Sequence, residues 1–441
     1  MDSYRVDKKE SERTKTKRGF AVLMSGTVTG QIVVFASSPL LTRIYDPNAF
    51  ALLAVVTAIS SILAVVLAFK LEMLIPLVKE EESARRLVSA GISTAAILGL
   101  FISGVTLAAG PFAEKTFGID GLAKWLWIAP VVAAAGTAFQ ILNQWAIRLG
   151  EFKSLATNSV IRPVVMTAVQ IIIGLAGVKL GGLSIGLAAG HIVSAGTMFA
   201  RSGARIFRLA GTIDCLRVET RNYKQFLAVL SVAGLLNVAA TQFPVLLFSL
   251  SYSSEATGQL SLTQKILAAP VAIVGVAMSQ VFVNLLATAV RNSRPASSIF
   301  VRVTTINMAA ALVGGGVILL WGQTIFGFVF GSEWQQAGQF AQFLTIGMVA
   351  QLIAAPVSQS LAVLRWSRSQ LVCDGVRFLA CGGVLIIIPQ LSDWPGAAVI
   401  GLGMAMAAGY LLQWLVVLIA IRSHDRGLQI SSVNRIEREA S

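Results

Sequence analysis

The stretch 226–250, FLAVLSVAGLLNVAATQFPVLLFSL, contains no lysine, arginine, aspartate or glutamate. A hydrocarbon core about 30 Å thick is crossed by roughly 20 apolar residues in a helix, so this stretch is long enough to span a membrane. It lacks the period-two alternation of an outer-membrane barrel strand, and its glycine and alanine content suits a lipid-spanning helix. Eleven comparable stretches flank it, near residues 20–41, 49–69, 87–109, 123–147, 155–177, 182–200, 259–288, 303–321, 337–362, 369–389 and 397–421. The whole composition agrees: of 441 residues 55% are hydrophobic and 13% charged, with a mean hydropathy of +0.75. The expected fold is an all-α polytopic membrane protein of about 12 transmembrane helices.

Lysine and arginine number 35 against 21 aspartate and glutamate, a net charge of +14 that in a soluble chain would suggest nucleic acid. The segment before the first span carries Arg5, Lys8, Lys9, Arg13, Lys15, Lys17 and Arg18, with acidic residues interspersed and no cleavage site following. It reads as a cytoplasmic tail and not as a signal peptide. With that tail inside, 29 of the 35 basic residues fall on the cytoplasmic side, Arg162 being counted with the connection 148–162. Arg43, Lys115, Lys124 and Lys179 fall outside, while Lys265 and Arg377 remain within spans. Orientation accounts for the positive excess, and no nucleic-acid partner is required.

An even number of spans puts both termini in the cytoplasm. The longest polar stretch, 201–225, separates two six-helix halves. The expected organisation is a tail at 1–19, an N-terminal lobe at 20–210, a C-terminal lobe at 211–421 whose first residues to 225 end the linking loop, and a cytoplasmic tail at 422–441. The halves echo each other weakly. Pro39-Leu40-Leu41 and Tyr45 to Phe50 in the first correspond to Pro244-Val245-Leu246 and Tyr252 to Gly258 in the second. Parallel repeats of this kind place a substrate path between them.

The rest of the chain narrows the chemistry. Cys215, Cys373 and Cys381 show no CxxC spacing, and His191 and His424 lie far apart, so metal, haem and disulfide-scaffold readings lapse. There is no phosphate-cradling GxxxxGK[ST]. The outer loops are short, the longest expected at 322–336, and hold no acid–base constellation for an enzyme. No cofactor and no catalytic residue is expected; what remains is movement of a molecule across the membrane.

Polar residues inside the spans are the candidates for that movement. Lys265, six residues into its span, lies roughly 9 Å deep at 1.5 Å per residue. Ala268, Ala269, Ala272, Gly275 and Ser279 share its helical face, with Ile266, Ile273, Val274 and Val281 on the other; that pattern fits a cavity, the other reading being a snorkelling or paired lysine. Thr27, Gln31 and Ser38 form a stripe beside Gly26 and Gly30, and Asn237, Thr241 and Gln242 precede Pro244. Such groups line a wet path or bond between helices. Lys70 and Glu72 follow the second span and either anchor it at the interface or belong to an extended helix reaching Pro76. Arg377, with Asp374 at i−3, reads as a local ion pair. Arg148 is explained by orientation, His191 as a buried hydrogen-bonding group, and Trp127, Trp334 and Trp394 as interfacial aromatics.

SGTVTGQIVVFASSPLLTRIYDPNAF at 25–50 resembles the amino-terminal signature of Wzx-like polysaccharide flippases, a branch of the multidrug/oligosaccharidyl-lipid/polysaccharide exporter superfamily. The second half is similar to the same family in Tyr223-Lys224-Gln225-Phe226, Asn237, Pro244, Ala256 to Gly258, LTQKILAAP at 262–270, Ser279-Gln280-Val281-Phe282 and FGSEWQQAG at 330–338. The resemblance implies two six-helix lobes around a central cavity in a bacterial inner membrane. It implies a lipid-linked oligosaccharide on polyprenyl diphosphate as substrate, membrane lipids as surroundings, and polysaccharide polymerase and export proteins as partners. Lys265 occupies the place of a basic residue that follows LxQ in relatives, and Thr42 and Arg43 match their threonine-arginine pair. Where relatives read Arg-Tyr-Glu, this chain has Lys70-Leu71-Glu72, and a lysine does not replace a bidentate arginine.

The expected mechanism is flipping by alternating access, with the headgroup in a cavity lined by Gln31, Asn237, Gln242 and Lys265, and the diphosphate drawn by Lys265, Arg43 and Lys70. Glu72 and Asp374 are the carboxylates placed to carry a coupling proton. A cation-coupled drug or metabolite antiporter of the same superfamily should carry a carboxylate in the first span, which has none. A membrane enzyme of glycan assembly such as a polymerase is disfavoured by the site-poor loops.

Overall fold

A computed structural model of the chain describes residues 25–202, 221, 223–364 and 366–440. The tail 1–19, Cys215 and most of the connection 201–225 lie outside the described residues. Among those described, twelve helices have 20 residues or more. In the first part of the chain these are α1 (25–44), α2 (Pro47–Ala68), α3 (Glu81–Phe117), α5 (Ile128–Leu149, after the short α4, Leu122–Trp125), α6 (Phe152–Leu175), α7 (Gly182–Ser202) and α8 (Lys224–Ser251). There follow α9 (Ser254–Arg291), α10 (Ser297–Phe330), α11 (Gln335–Ser358), the short α12 (Ser360–Val363), α13 (Ser367–Leu391) and α14 (Pro395–Ala440). Ten of the long helices are apolar enough to cross a membrane by length and composition; α1 and α9 complete the twelve. The protein is a multi-pass, all-helical membrane protein.

Two compact units result, Met1–Gly258 and Gln259–Ser441. In the first, α2 packs on α5 and α8, α5 on α3 and α7, and α6 on α7. Helix α2 starts where its sequence directs: Asp46 caps it by accepting from the Ala49 amide at 2.9 Å, and Pro47 takes the first turn, where no amide donor is needed. The GxxxG of α1 is a close helix contact, since a Cβ on Gly26 would lie 2.5 Å from the Ala156 carbonyl oxygen and one on Gly30 would meet that of Ser159. Tyr45, just past α1, is buried and donates to the Gln170 carbonyl at 2.6 Å; burial pushes its phenol up to about 12, so it remains a donor. The buried cluster of Ile75, Val88, Ile141, Leu142, Trp145, Leu155 and Met198 joins α3, α5, α6 and α7.

In the second unit α11 packs on α10 and α14, and α13 on α14. Its core gathers Phe282, Leu286, Phe300, Val303, Val357, Leu361 and Val417. The start of α10 is capped from far along the chain. Asp425 of α14 accepts from the amides of Ala296 and Ser297 at 2.8 and 3.0 Å, and from the Ser297 hydroxyl.

Several expectations change. The outer loop at 322–336 is mostly helix: α10 runs to Phe330 and α11 begins at Gln335, joined by Gly331 at φ 109° and a 3-10 turn, Ser332–Trp334. Trp334 is not interfacial, being fully buried, because Gln259 and Thr263 hold this turn against α9. The segment 422–440 continues α14 as helix. Lys70 and Glu72 are not in an extended helix, because Phe69 and Lys70 adopt left-handed φ of 44° and 55° and end α2.

Candidate functional site

The best-placed cation in the second unit is Lys265, the twelfth residue of the 38-residue α9. Its orientation is set two residues earlier. Thr263 donates to the Ala337 carbonyl at 2.7 Å, while Gln259, one turn before, accepts from the Ala337 amide at 2.9 Å and donates to the Glu333 carbonyl at 2.6 Å. These bonds fix one face of α9 against the 3-10 turn and α11, and at about 100° per residue Lys265 points roughly 200° away from Thr263. The motifs LTQK and EWQQA are thus two sides of one clamp, the buried Trp334 filling its centre. Lys265 itself is half-buried, between Gln264 and the buried Ile266. Ile266 and Val281, expected on the face opposite Lys265, differ in exposure, at 8% and 51%. The side chains of Ala272, Ile273 and Val274 lie outside the described residues. Ser279 is buried, and its hydroxyl has no hydrogen-bond partner among the described residues.

In the first unit the candidates gather along the seam between α2 and α8. The Lys70 side chain lies against Gly234, where an added Cβ would be 2.5 Å from its Cε, and Lys70 Nζ is 3.4 Å from the buried Glu72 carboxylate. Further along the seam, Gln242 Nε2 lies 3.5 Å from Ser61 Oγ. At its far end Ser254 Oγ donates to Asn48 Oδ1 at 2.5 Å, and Gly258 abuts the Pro47 carbonyl so closely that no Cβ fits. Asn237 and Thr241 are exposed. Gln31 is half-buried on α1, and Arg43 is exposed at the end of that helix, beside the buried Thr42. Lys70 and Gln242 therefore share a seam, and Arg43 is exposed at the end of α1.

Arg148 and Arg377 are held by neighbours. Arg148 donates to the carbonyls of Ile75, Val78 and Lys79 at 2.5, 2.6 and 3.2 Å, closing the connection after the 3-10 turn Leu71–Met73. Arg377 pairs with Asp374 at 2.8 Å and lies 4.4 Å from the Tyr410 ring centroid. Gln370 Nε2 also donates to Asp374, at 3.0 Å. His191 has its Nδ1 buried without a partner among the described residues. Sequence reasoning missed Arg162. It is the eleventh residue of the 24-residue α6, a placement already visible in the apolar stretch 155–177, yet it was counted with a loop because basic residues cluster just before it.

Among the described residues no group of three or more histidine, cysteine, aspartate or glutamate side chains could hold a metal ion. The site as built can pair anionic groups with cations and offer amides to polar ones.

A twelve-helix membrane-protein architecture with cations inside its helices is the class these features define. The profile described as "Polysaccharide biosynthesis protein" matches residues 40–339, and the chain belongs to that family. No curated protein matches it. Solved structures share its fold. "Lipid II flippase MurJ, inward closed conformation" is similar with a TM-score of 0.73 and 12% identity, over 93% of this chain and 91% of that one. The structure described as "Crystal structure of MATE in complex with MaL6" gives 0.61 and 13%, over 93% and 97%. The Pyrococcus furiosus transporter titled "Reverse polarity of binding pocket suggests different function of a MOP superfamily transporter" gives 0.58 and 14%, over 93% and 96%. The fold is that of the multidrug/oligosaccharidyl-lipid/polysaccharide exporter superfamily.

Proposed function

We propose that this protein flips polyprenyl-diphosphate-linked oligosaccharide repeat units from the cytoplasmic to the outer leaflet of the inner membrane, by alternating access, with both termini in the cytoplasm. One observation carries the reading: a member of a polysaccharide-biosynthesis family holds a lysine, Lys265, well inside the 38-residue helix α9, whose rotation is fixed by the Gln259–Thr263 clamp. A glycan headgroup crossing about 30 Å of hydrocarbon would lose several kcal/mol for each unsatisfied polar group, so a protein must stand in for water. Lys265 serves as the point-charge partner of the diphosphate, with Lys70 and Arg43 as further cations and Gln31, Asn237 and Gln242 as hydroxyl partners. The prenyl chain stays in lipid.

With the inside negative, outward movement of a diphosphate gains roughly 2.3 kcal/mol per net charge per 100 mV, so ion coupling is not required. Glu72 and Asp374, the carboxylates best placed for a proton, are each held by a neighbouring cation, Lys70 and Arg377. A polymerase on the outer side would consume the flipped unit. The test is to delete the gene in its host and compare polyprenyl-linked glycans with surface polysaccharide. Accumulated full-length lipid-linked units with surface polymer lost support flipping. Unchanged pools of both would overturn it in favour of an antiporter of the same superfamily.

A further inference from the structure

Arg162 sits at mid-length of α6, about 15 Å from its start at 1.5 Å per residue, in a helix that crosses the membrane. Its side chain turns toward α5, with the guanidinium carbon 5.5 Å from the Phe139 ring centroid, and Phe139 is itself mid-helix. The backbone around it is tightly packed on α7, since a Cβ on Gly190 would lie 3.0 Å from the Arg162 carbonyl oxygen. The next residue, His191, turns to α5 as well: a Cβ on Gly136, one turn from Phe139, would meet His191 Nδ1 at 3.4 Å. That nitrogen is buried and has no hydrogen-bond partner among the described residues. One turn before Arg162 on α6, the fully buried Asn158 accepts from the Thr197 hydroxyl at 2.7 Å. A polar layer thus lies between α5, α6 and α7, with one permanent positive charge in it.

Among the described residues no carboxylate balances that charge. Among the described residues Arg162 forms no ion pair and no hydrogen bond, its recorded contact being the aromatic ring. The intramembrane arginine at 377, by contrast, has Asp374 beside it. An ionised group in a membrane interior is costly, and where no structural partner repays the cost a bound counter-charge is the expected reason for keeping it. The guanidinium fork matches the oxygens of a phosphate, and an imidazole nitrogen nearby, without a partner among the described residues, adds a hydrogen-bonding group.

We propose that Arg162, with His191 beside it, is an oxyanion-binding site for a phosphate or diphosphate group within the first unit. The site stands on its own geometry; that its anion is the headgroup of a transported lipid rests on the flippase reading. Binding of inorganic pyrophosphate and of farnesyl diphosphate to the full chain in nanodiscs tests it, with wild type, R162Q, R162K and K265Q compared by titration and thermal unfolding. R162Q is expected to weaken both probes at least tenfold while its unliganded melting temperature stays level or rises, because an unbalanced charge has been removed. R162K, which keeps the charge but loses the fork, should weaken them about threefold and remain folded whatever R162Q does. Unchanged affinity in R162Q or R162K overturns the site, and so does a lowered unliganded melting temperature in R162Q with unaltered binding in R162K. Loss in K265Q alone overturns it too, while leaving the flippase reading intact. Binding of pyrophosphate without farnesyl diphosphate overturns the link to a lipid headgroup, which the glycan pools test independently.

Discussion

The Glu72 carboxylate lies 3.4 Å from Lys70 Nζ, with the glutamate side chain 3% exposed and the lysine 19%. Residues two apart do not face each other on a regular helix, so this pair exists only because α2 ends in two left-handed residues and a 3-10 turn follows. Lys70→Ala would leave a buried carboxylate without its counter-charge, at a cost of about 3 kcal/mol. Adding Glu72→Gln should recover most of that loss. A double-mutant cycle by thermal unfolding in detergent measures it, and strictly additive effects would show that the pair is not coupled.

Arg148 is expected to be a structural residue whose loss loosens the connection after α2. Its guanidinium serves three backbone carbonyls, and charge-assisted bonds are worth about 1.5–3 kcal/mol each when intact. Arg148→Ala should lower stability by about 3 kcal/mol and open the segment 75–80 to limited proteolysis, with Arg148→Lys intermediate. Wild-type resistance to cleavage in Arg148→Ala would contradict the role.

Gly258 has no room for a side chain. Its neighbour is the Pro47 carbonyl, which is backbone and cannot swing aside. Gly258→Ala should therefore force the start of α9 away from α2 and cost about 1–3 kcal/mol. Gly196→Ala, where nothing lies within 4 Å, is the matched control and should change stability little. Equal melting temperatures for the two variants would rule the packing argument out.

For Lys265, charge and geometry separate in the variants. Lys265→Ala is expected to abolish glycan export and Lys265→Arg to retain part of it, read from lipid-linked and surface glycan pools at equal expression. Thr263→Val keeps the lysine but removes its helix's bond to Ala337, and should reduce export by a smaller factor. If all of these export as well as wild type, the lysine has no part in transport.

Much of the fold was readable because hydrocarbon imposes one rule on every span, and the apolar stretches followed from it. The ends of helices were less readable. The stretch 322–336 contains glutamate, glutamine and glycine and so scores as loop, yet Gln259 from another helix satisfies its backbone and buries Trp334. Lys70 and Glu72 are adjacent to an apolar run that continues to Pro76, and only the left-handed φ at Phe69 and Lys70, invisible in residue types that rarely adopt it, breaks that run. Arg162 was concealed by counting: charge tallies assign a basic residue near a span end to the loop, although helix α6 begins ten residues before it. The pairing of Arg377 with Asp374, by contrast, follows from i, i+3 spacing alone.

The Asp425 cap ties the beginning of α10 to a residue 128 positions beyond Ser297. A chain emerging from the ribosome makes α10 long before it makes Asp425, so during synthesis the amides of Ala296 and Ser297 must be served by water or by another partner. The second unit thus acquires this cap only when the helix that carries Asp425 has been made. A nascent chain ending before residue 425 would carry an uncapped helix, a mark by which quality control could tell an unfinished protein from a complete one.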